Sequence, residues 1–372
     1  MKKSIQIVVV TLILLLVSTL TKATTFETIY NGLKYLIDTE KNVATLVNWP
    51  GYSGDIVVSD TIISGGKDYP VTSLGDSCFE SCSRITSITI PLSVTSLGNY
   101  CFENCKWLSS FTIPSSVTSL GYGCFYNCSE LTSITIPSSV TSLGNKCFFY
   151  CLGLTSISIP SSVTSLGEGC FTCCLGLTSI SIPSSVTSLG DECFSCCEGL
   201  TSITIPSSVT SLGTKCFSGC EGLTSITIPD SVKSFGNYCF EDCSGLTSIT
   251  IPSSVTSLPE RCLCRCRRLT SITIPSSVTS LGSYCFEDCK WLTSITIPSS
   301  VTSLKEGCFS GCSELNTICC HAVIPPICQE SFLDFNTQYC KLLIPQESMD
   351  KYKSADEWKS FLYIDTIKNA TK

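Results

Sequence analysis

Apolar and polar positions alternate in a fixed phrase that returns through most of the chain. At residues 131–144 it reads LTSITIPSSVTSLG, with apolar side chains at Leu131, Ile134, Ile136, Val140 and Leu143 and mostly hydroxyl side chains between them. Over residues 133–136 the alternation has period two, the mark of a strand with one buried face. Ile134 and Ile136 are therefore expected to point inward, and Ser133 and Thr135 outward. Pro137-Ser138-Ser139 predicts a turn, residues 140–143 a second short extended piece, and Gly144 the bend that follows it. Cys147, Phe148 and Cys151 then stand at i, i+1 and i+4, the spacing of one face of a short helical turn.

The proline inside each copy measures the repeat. It falls at Pro91, Pro114, Pro137, Pro160, Pro183, Pro206, Pro229, Pro252, Pro275 and Pro298, always 23 residues on and with no insertion. A constant period in this range is the signature of a solenoid, whose coils each contact only their neighbours. The spacing of Leu131, Ile134 and Ile136 is that of a leucine-rich repeat. The predicted fold class is a repeat solenoid: a leucine-rich-repeat-like right-handed stack of β-strands with short helical turns, an α/β horseshoe. An array of about eleven 23-residue repeats spans 72–313. A single coil cannot bury its apolar face alone, so both ends need caps. Residues 24–71 predict a cap of short strands joined by Gly, Asn and Asp turns. Residues 314–372 predict another: Pro325-Pro326 replaces the phrase, and a strand leads to an amphipathic helix through Tyr352, Trp358 and Phe361 that lids the last coil.

Residues 1–23 read as a secretory signal, with Lys2 and Lys3, an apolar run over 7–16, and Thr21-Lys22-Ala23 at the cut. The run is shorter than the roughly 20 residues a membrane span needs, and no second stretch reaches that length. The expected location is therefore secreted or cell surface, with no integral membrane span after signal removal. Only 14% of the residues are charged, so serine and threonine supply the polar surface. Removing Lys2, Lys3 and Lys22 takes the formal charge from −7 to −10, which argues against a nucleic-acid partner.

Eleven cysteine couplets, from Cys78/Cys82 to Cys308/Cys312, recur with the same period and line up into two columns when coils stack. Zinc would want couplets gathered in fours, often with histidine, but His321 is the one histidine and a continuous column forms no closed cage. A bridge within a couplet is disfavoured, because i,i+4 Cβ atoms lie about 5–6 Å apart and a disulfide needs roughly 3.5–4.5 Å. Bridges between coils leave one column partly unpaired, since eleven is odd. Small apolar filler beside the phenylalanine column is the reading that suits every couplet. Cys173, Cys196, Cys264, Cys319, Cys320, Cys328 and Cys340 stand outside the couplets and are the better candidates for oxidation on a secretory route.

A catalytic triad or Cys-His pair needs a histidine to accept the proton. His321, beside Cys319 and Cys320 at the end of the array, reads as a surface residue, and the acidic pairs Glu241-Asp242 and Glu287-Asp288 as solvated faces. No phosphate loop, dinucleotide fingerprint or metalloprotease motif occurs, so no enzyme, metal or cofactor is expected. Two glycosylation sequons, at Asn127 and Asn369, matter only in a eukaryotic secretor.

The outward residues of the main strands make the candidate binding ladder. One column holds Ser87, Ser110, Ser133, Ser202, Ser225, Ser248, Ser271 and Ser294, and the other Thr89, Thr112, Thr135, Thr204, Thr227, Thr250, Thr273 and Thr296. Ser156, Ser158, Ser179 and Ser181 fill the coils between. Spaced about 4.8 Å apart, these hydroxyls would form a flat, uncharged ribbon. Three readings stay open: solvation of an exposed sheet, a strip that binds an extended protein or glycan, and an ice-binding array. Residues that vary between copies, such as Asn99-Tyr100, Tyr122-Gly123 and Asn145-Lys146, offer a second place for specificity, as do the caps.

The phrase resembles the BspA-like leucine-rich repeat surface proteins of host-associated bacteria, whose coil has the form LTSITIPxSVTSIGxxAFxxC. GLKYLIDTEKNVATLV before the array and CKLLIPQESMDKYKSADEWKSF after it resemble that family's terminal pieces. Cysteine replaces the family's usual alanine before the phenylalanine in every coil, and Pro259 and Lys305 replace the turn glycine. The resemblance implies a secreted or surface-displayed protein that mediates protein–protein interaction or adhesion, with host extracellular matrix or another cell surface as partner. A purely structural surface-layer or scaffold role is the alternative.

Overall fold

Each 23-residue phrase makes one coil, and every coil stacks on the next with residue i over residue i+23. A computed structural model describes residues 24–367; the signal segment and the Asn369 sequon lie outside the described residues. The strand Ser133–Thr135 lies parallel to Ser110–Thr112 with Ser133 against Ser110 and Thr135 against Thr112. The second extended piece is the two-residue strand Ser142–Leu143, parallel to Ser165–Leu166. Repeated down the chain, these two ladders build a β-solenoid of about 14 turns.

The core lies between the ladders. Leu131, Ile134, Ile136, Val140, Leu143, Cys147, Phe148 and Cys151 are all buried, and their counterparts repeat this in nearly every coil. The phenylalanines stack ring on ring, as in Phe125–Phe148 at 5.5 Å and Phe148–Phe171 at 5.5 Å, nearly parallel in both pairs. Leu263 interrupts that column once. All 29 cysteines are free thiols, and those of the couplets are buried apart from half-buried Cys82. The two columns differ in role. The second cysteine donates its S–H to the phenylalanine carbonyl one coil back, Cys151 to Phe125 O at 3.1 Å and Cys128 to Phe102 O at 3.0 Å. That contact repeats from Cys105 to Cys312, with Leu263 O the acceptor for Cys289.

The corner that carries the couplet is not helical. It is a chain of tight turns: Cys147 N–H donates to Gly144 O (3.2 Å), Cys151 N–H to Phe148 O (3.2 Å) and Leu154 N–H to Cys151 O (3.1 Å). Lys146 and Tyr150, the third residues of the first two turns, have φ of 55° and 60°, as a type II turn requires. The physical reason lies between the coils. Lys146, Phe148 and Tyr150 donate their N–H groups to Glu168 O, Cys170 O and Thr172 O of the next coil at 2.7–2.9 Å. A helix would spend those donors within itself, whereas the stack uses them as a third ladder.

The glycine before that corner also works differently from the bend expected of it. A Cβ on Gly213 would lie 2.5 Å from the backbone N of Asp191 and 2.5 Å from the backbone C of Gly190, one coil back. Its φ is not in the left-handed region, so close approach of two backbones is the reason for glycine here. Lys305 still makes the ladder bond at this position, to Leu281 O at 3.0 Å. Pro259 has no N–H with which to do so.

Both ends carry the stack beyond the repeat array. At the start, Thr25–Tyr30, Leu33–Asp38 and Val43–Leu46 form an antiparallel meander. Val43–Leu46 then pairs in parallel with Lys67–Leu74, which receives Ser96–Leu97 of the array. At the far end, Thr317–Cys320, Lys341–Ile344 and Tyr363–Thr366 continue the main ladder in parallel. The expected amphipathic helix is only Met349–Ser354. It stops where Ala355 turns extended and Glu357 adopts φ 63°. Glu357 sits there because its carboxylate accepts the N–H groups of Glu330, Ser331 and Phe332 at 2.8–3.3 Å. Tyr352, Trp358 and Phe361 are buried as expected, and Trp358 meets Phe332 edge-on at 5.2 Å, closing the phenylalanine column. Tyr52 closes the other end, 5.5 Å from Phe79. Among the described residues no helix is long and apolar enough to cross a membrane.

Candidate functional site

A face made of serine and threonine becomes informative once the hydroxyls engaged inside the stack are separated from those left over. The second serine of each Pro-Ser-Ser turn is engaged: Ser139 donates to Val117 O (2.6 Å) and Ser162 to Val140 O (2.7 Å). Thr132, just before the main strand, donates to Ser109 O (3.0 Å), and Thr118, before the second strand, to Thr95 O (3.3 Å). These groups tie a coil to its predecessor and offer little to a partner.

The two outward columns of the main ladder are free of such duty. Ser110, Thr112, Ser133, Thr135, Ser202, Thr204, Ser225, Thr227, Ser248, Thr250, Ser271, Thr273, Ser294 and Thr296 are all exposed. Among the described residues their hydroxyls bond to no other group of the chain. In-register pairing continues through Ser158 and Ser181 and on to Thr296. Ile134, Ile203 and Ile249 between them are buried, so the other side of these strands is packed against the core.

Ser87 and Thr89 are exposed too, but they stand apart. Their strand, Ile85–Thr89, pairs with Gly54–Val57 and not with Ser110–Thr112. At the break Phe111 takes the place of the usual isoleucine, its ring 5.1 Å from Phe102 and 5.7 Å from Phe125. The rest of the stack is undisturbed here, with Phe79 N–H donating to Cys101 O at 2.8 Å, and Ser87, Ile88, Trp107, Phe111 and Thr112 line the opening between the two strands. Ser87 donates to Asp55 (2.6 Å), as does Thr86 (2.7 Å), and these hydroxyls hold the Asp55 carboxyl below its ordinary range. Sixteen ladder residues were expected in one ribbon; the structure joins fourteen and sets the first two across a gap.

The variable edge of the corner changes character along the array. Tyr126 and Phe149 stack at 5.0 Å, and the Lys146 ammonium lies 5.8 Å from the Phe149 ring. Further on, Arg261 reaches Glu287 (3.0 Å) and Glu241 (3.8 Å), and Arg265 reaches Asp242 (3.3 Å). Glu241, Asp242 and Glu287 are therefore paired between coils rather than merely solvated, a contact between positions 20 to 26 apart that their own neighbours in sequence do not announce.

His321 is exposed, with its Nε2 3.6 Å from Cys319 Sγ. Burial pushes the Cys319 thiol up, which keeps it protonated and a poor nucleophile. Among the described residues no group of three or more His, Cys, Asp and Glu side chains is placed to hold a metal ion.

A family model described as the BspA type leucine rich repeat region, present in six copies, matches residues 72–200, 187–316 and 234–354. Among solved structures, a leucine rich cell surface protein of Faecalibacterium prausnitzii is 31% identical, covering 79% of this chain and 94% of that one, with a TM-score of 0.53. A leucine-rich repeat protein of Bacteroides ovatus is 23% identical, covering 92% and 100%, with a TM-score of 0.60. The pneumococcal vaccine antigen PcpA is 17% identical over 92% of this chain and 99% of its own, with a TM-score of 0.50; these last two likenesses bear on the fold alone. No curated protein matches the chain.

Proposed function

The chain belongs to the BspA-type leucine-rich repeat family, and from that premise we propose that it is a non-enzymatic, secreted or surface-displayed protein that grips a protein partner on its serine–threonine face. The observation that carries this reading is the division of the hydroxyls. Coil after coil uses Ser and Thr to bind its neighbour, yet among the described residues the two outward columns are left without partners on an exposed, uncharged face. Such a surface offers hydroxyl donors and acceptors in strict register, which suits an extended segment or a flat protein surface. Because the face has no charge, binding should depend weakly on salt. Its solved relative from Faecalibacterium is called a cell surface protein, which supports the location. Adhesion to host extracellular matrix is the specific form of the proposal.

The test is binding of the full chain to immobilised fibronectin, laminin and collagen. The triple variant Thr135→Arg, Thr204→Arg, Thr250→Arg is measured beside Tyr150→Ala on the variable edge. At least a tenfold loss with the threonine variant, little change with Tyr150→Ala and unchanged thermal midpoints are expected. The reverse ranking would move the site to the edge. Absence of binding, with self-association in light scattering, would favour the surface-layer scaffold instead.

A further inference from the structure

One position of the corner lies outside the packing logic that explains the couplets. It is the residue before the second cysteine of each couplet, occupied elsewhere by Ser81, Asn104, Tyr150, Gly219, Asp242 and Arg265 with φ between 54° and 73°. The left-handed region disfavours any residue with a Cβ other than Asn or Asp, and cysteine gains nothing there. Yet Cys173 and Cys196 occupy it, with φ of 58° and 55°, on two adjacent coils and on no others among the eleven. Both are half-buried, unlike the enclosed couplet thiols beside them, so the role of small apolar filler does not account for them.

The backbone holds the two in register. Cys173 N–H donates to Ser195 O (2.8 Å) and Cys196 N–H to Ser218 O (2.6 Å), the same inter-coil ladder that runs through the rest of the corner. Residues stacked one above the other in such a ladder lie about 4.8 Å apart, within the roughly 4.4–6.8 Å between Cα atoms that a disulfide accepts, and their Cβ atoms need to close by only a few tenths of an ångström to reach the roughly 3.5–4.5 Å it requires. On the next coil along stands Gly219, where an added Cβ would lie 3.2 Å from Cys196 Sγ. The sulfur therefore leans into the space that Gly219 leaves open, and closing the bridge turns it back toward Cys173.

We propose that Cys173 and Cys196 form a reversible disulfide staple between two mid-array coils, with a small-molecule disulfide such as oxidised glutathione as the oxidant. One cysteine, as its thiolate, attacks a sulfur of the oxidant; the oxidant's S–S bond breaks and one small thiol leaves. The second cysteine gives its proton to water and attacks the protein sulfur of the mixed disulfide, releasing the other small thiol. Two protein thiols thus lose two electrons and two protons, and one disulfide becomes two thiols. Coils in a solenoid part locally, so the staple would hold together the middle of the array, where each coil otherwise depends only on its neighbours. Burial and the adjacent Cys196 push the Cys173 thiol up to about 11, with Tyr150 and Glu198 the other titratable groups nearby, so closure quickens as pH rises toward that value.

The full chain, folded, is incubated with oxidised glutathione at mildly alkaline pH, alkylated under denaturing conditions, and cleaved at acidic residues, Glu192 lying between the pair. Mass spectrometry should show loss of two hydrogens and a single cross-linked peptide joining Cys173 to Cys196, with couplet thiols alkylated as free thiols. Cys173→Ser and Cys196→Ser should each stop at a stable glutathione adduct on the remaining cysteine. Serine is compatible with this backbone, since Ser81 already adopts it at φ 54°. Wild-type chains that accumulate the adduct without closing, bridges to any other cysteine, or inertness until the array is unfolded would each overturn the proposal.

Discussion

Raising the pH toward 10 should unfold this array through its own thiols. In twenty buried couplet cysteines burial pushes the thiol pKa up, Cys147, Cys243 and Cys312 to about 12. A thiol in the unfolded chain titrates near 8.5–9. The folded pKa is the higher of the two, so each thiol's contribution is complete below the unfolded value and is lost as pH climbs toward the folded one. In that window the loss depends only on the distance above the unfolded pKa: about half to one kcal/mol per thiol at pH 9 and about one to two at pH 10. Summed over the columns this is roughly 10–20 kcal/mol at pH 9 and roughly 20–40 at pH 10, against a stability of order 5–15 kcal/mol for an ordinary domain. Far-UV circular dichroism, followed from neutral to alkaline pH with a phosphine reductant present, should therefore show a steep transition between about pH 9 and 10. Replacing Cys124, Cys147, Cys170 and Cys193 by Ala removes about a fifth of the titrating groups, and should make the transition shallower and move it upward. Tyrosine and lysine titrate nearby, and this variant separates them from the thiols. An array that stays folded beyond pH 11, or a variant that melts at the same pH and with the same steepness, would refute the reasoning.

Two further outcomes follow from the packing. In urea denaturation Cys147→Ala should cost about 1 kcal/mol, the burial of one methylene-sized group, whereas Cys151→Ala should cost about 2 because Phe125 O also loses its S–H donor; equal costs would deny the sulfur ladder any role. Phe171→Ala should cost about 3–5 kcal/mol and Phe171→Leu less than about 1.5, since Leu263 already stands in that column. A leucine variant as unstable as the alanine one would mean that ring stacking, rather than volume, holds the column.

The period, the repeat class and the inward direction of Ile134, Ile136, Val140, Leu143, Phe148 and the couplets were all legible in the sequence. Each follows from hydrophobic alternation within a phrase, and stacking copies of one phrase can only place like over like. The exposure of Ser133 and Thr135 follows from the same alternation. Contacts between coils carried no such signal. Whether Ser139 bonds Val117 O or faces a partner depends on how one coil is offset against the next, and hydropathy does not encode that offset. The corner read as helical because i and i+4 share a helix face, but the stacked coils compete for the same N–H groups, and the ladder through Lys146, Phe148 and Tyr150 prevails. Gly144 looked like a bend, and at its counterpart Gly213 the position proved to be one of close approach, because the atoms it must avoid belong to Asp191 and Gly190 of the coil before. The break in strand pairing at Phe111 likewise exists only between coils, whereas the register of Cys173 with Cys196, 23 residues apart, was already in the period. What each coil is, and which way its residues face, can be read along the chain; which hydroxyls, thiols and amides remain for a partner depends on the stacking, because neighbouring coils take their share first.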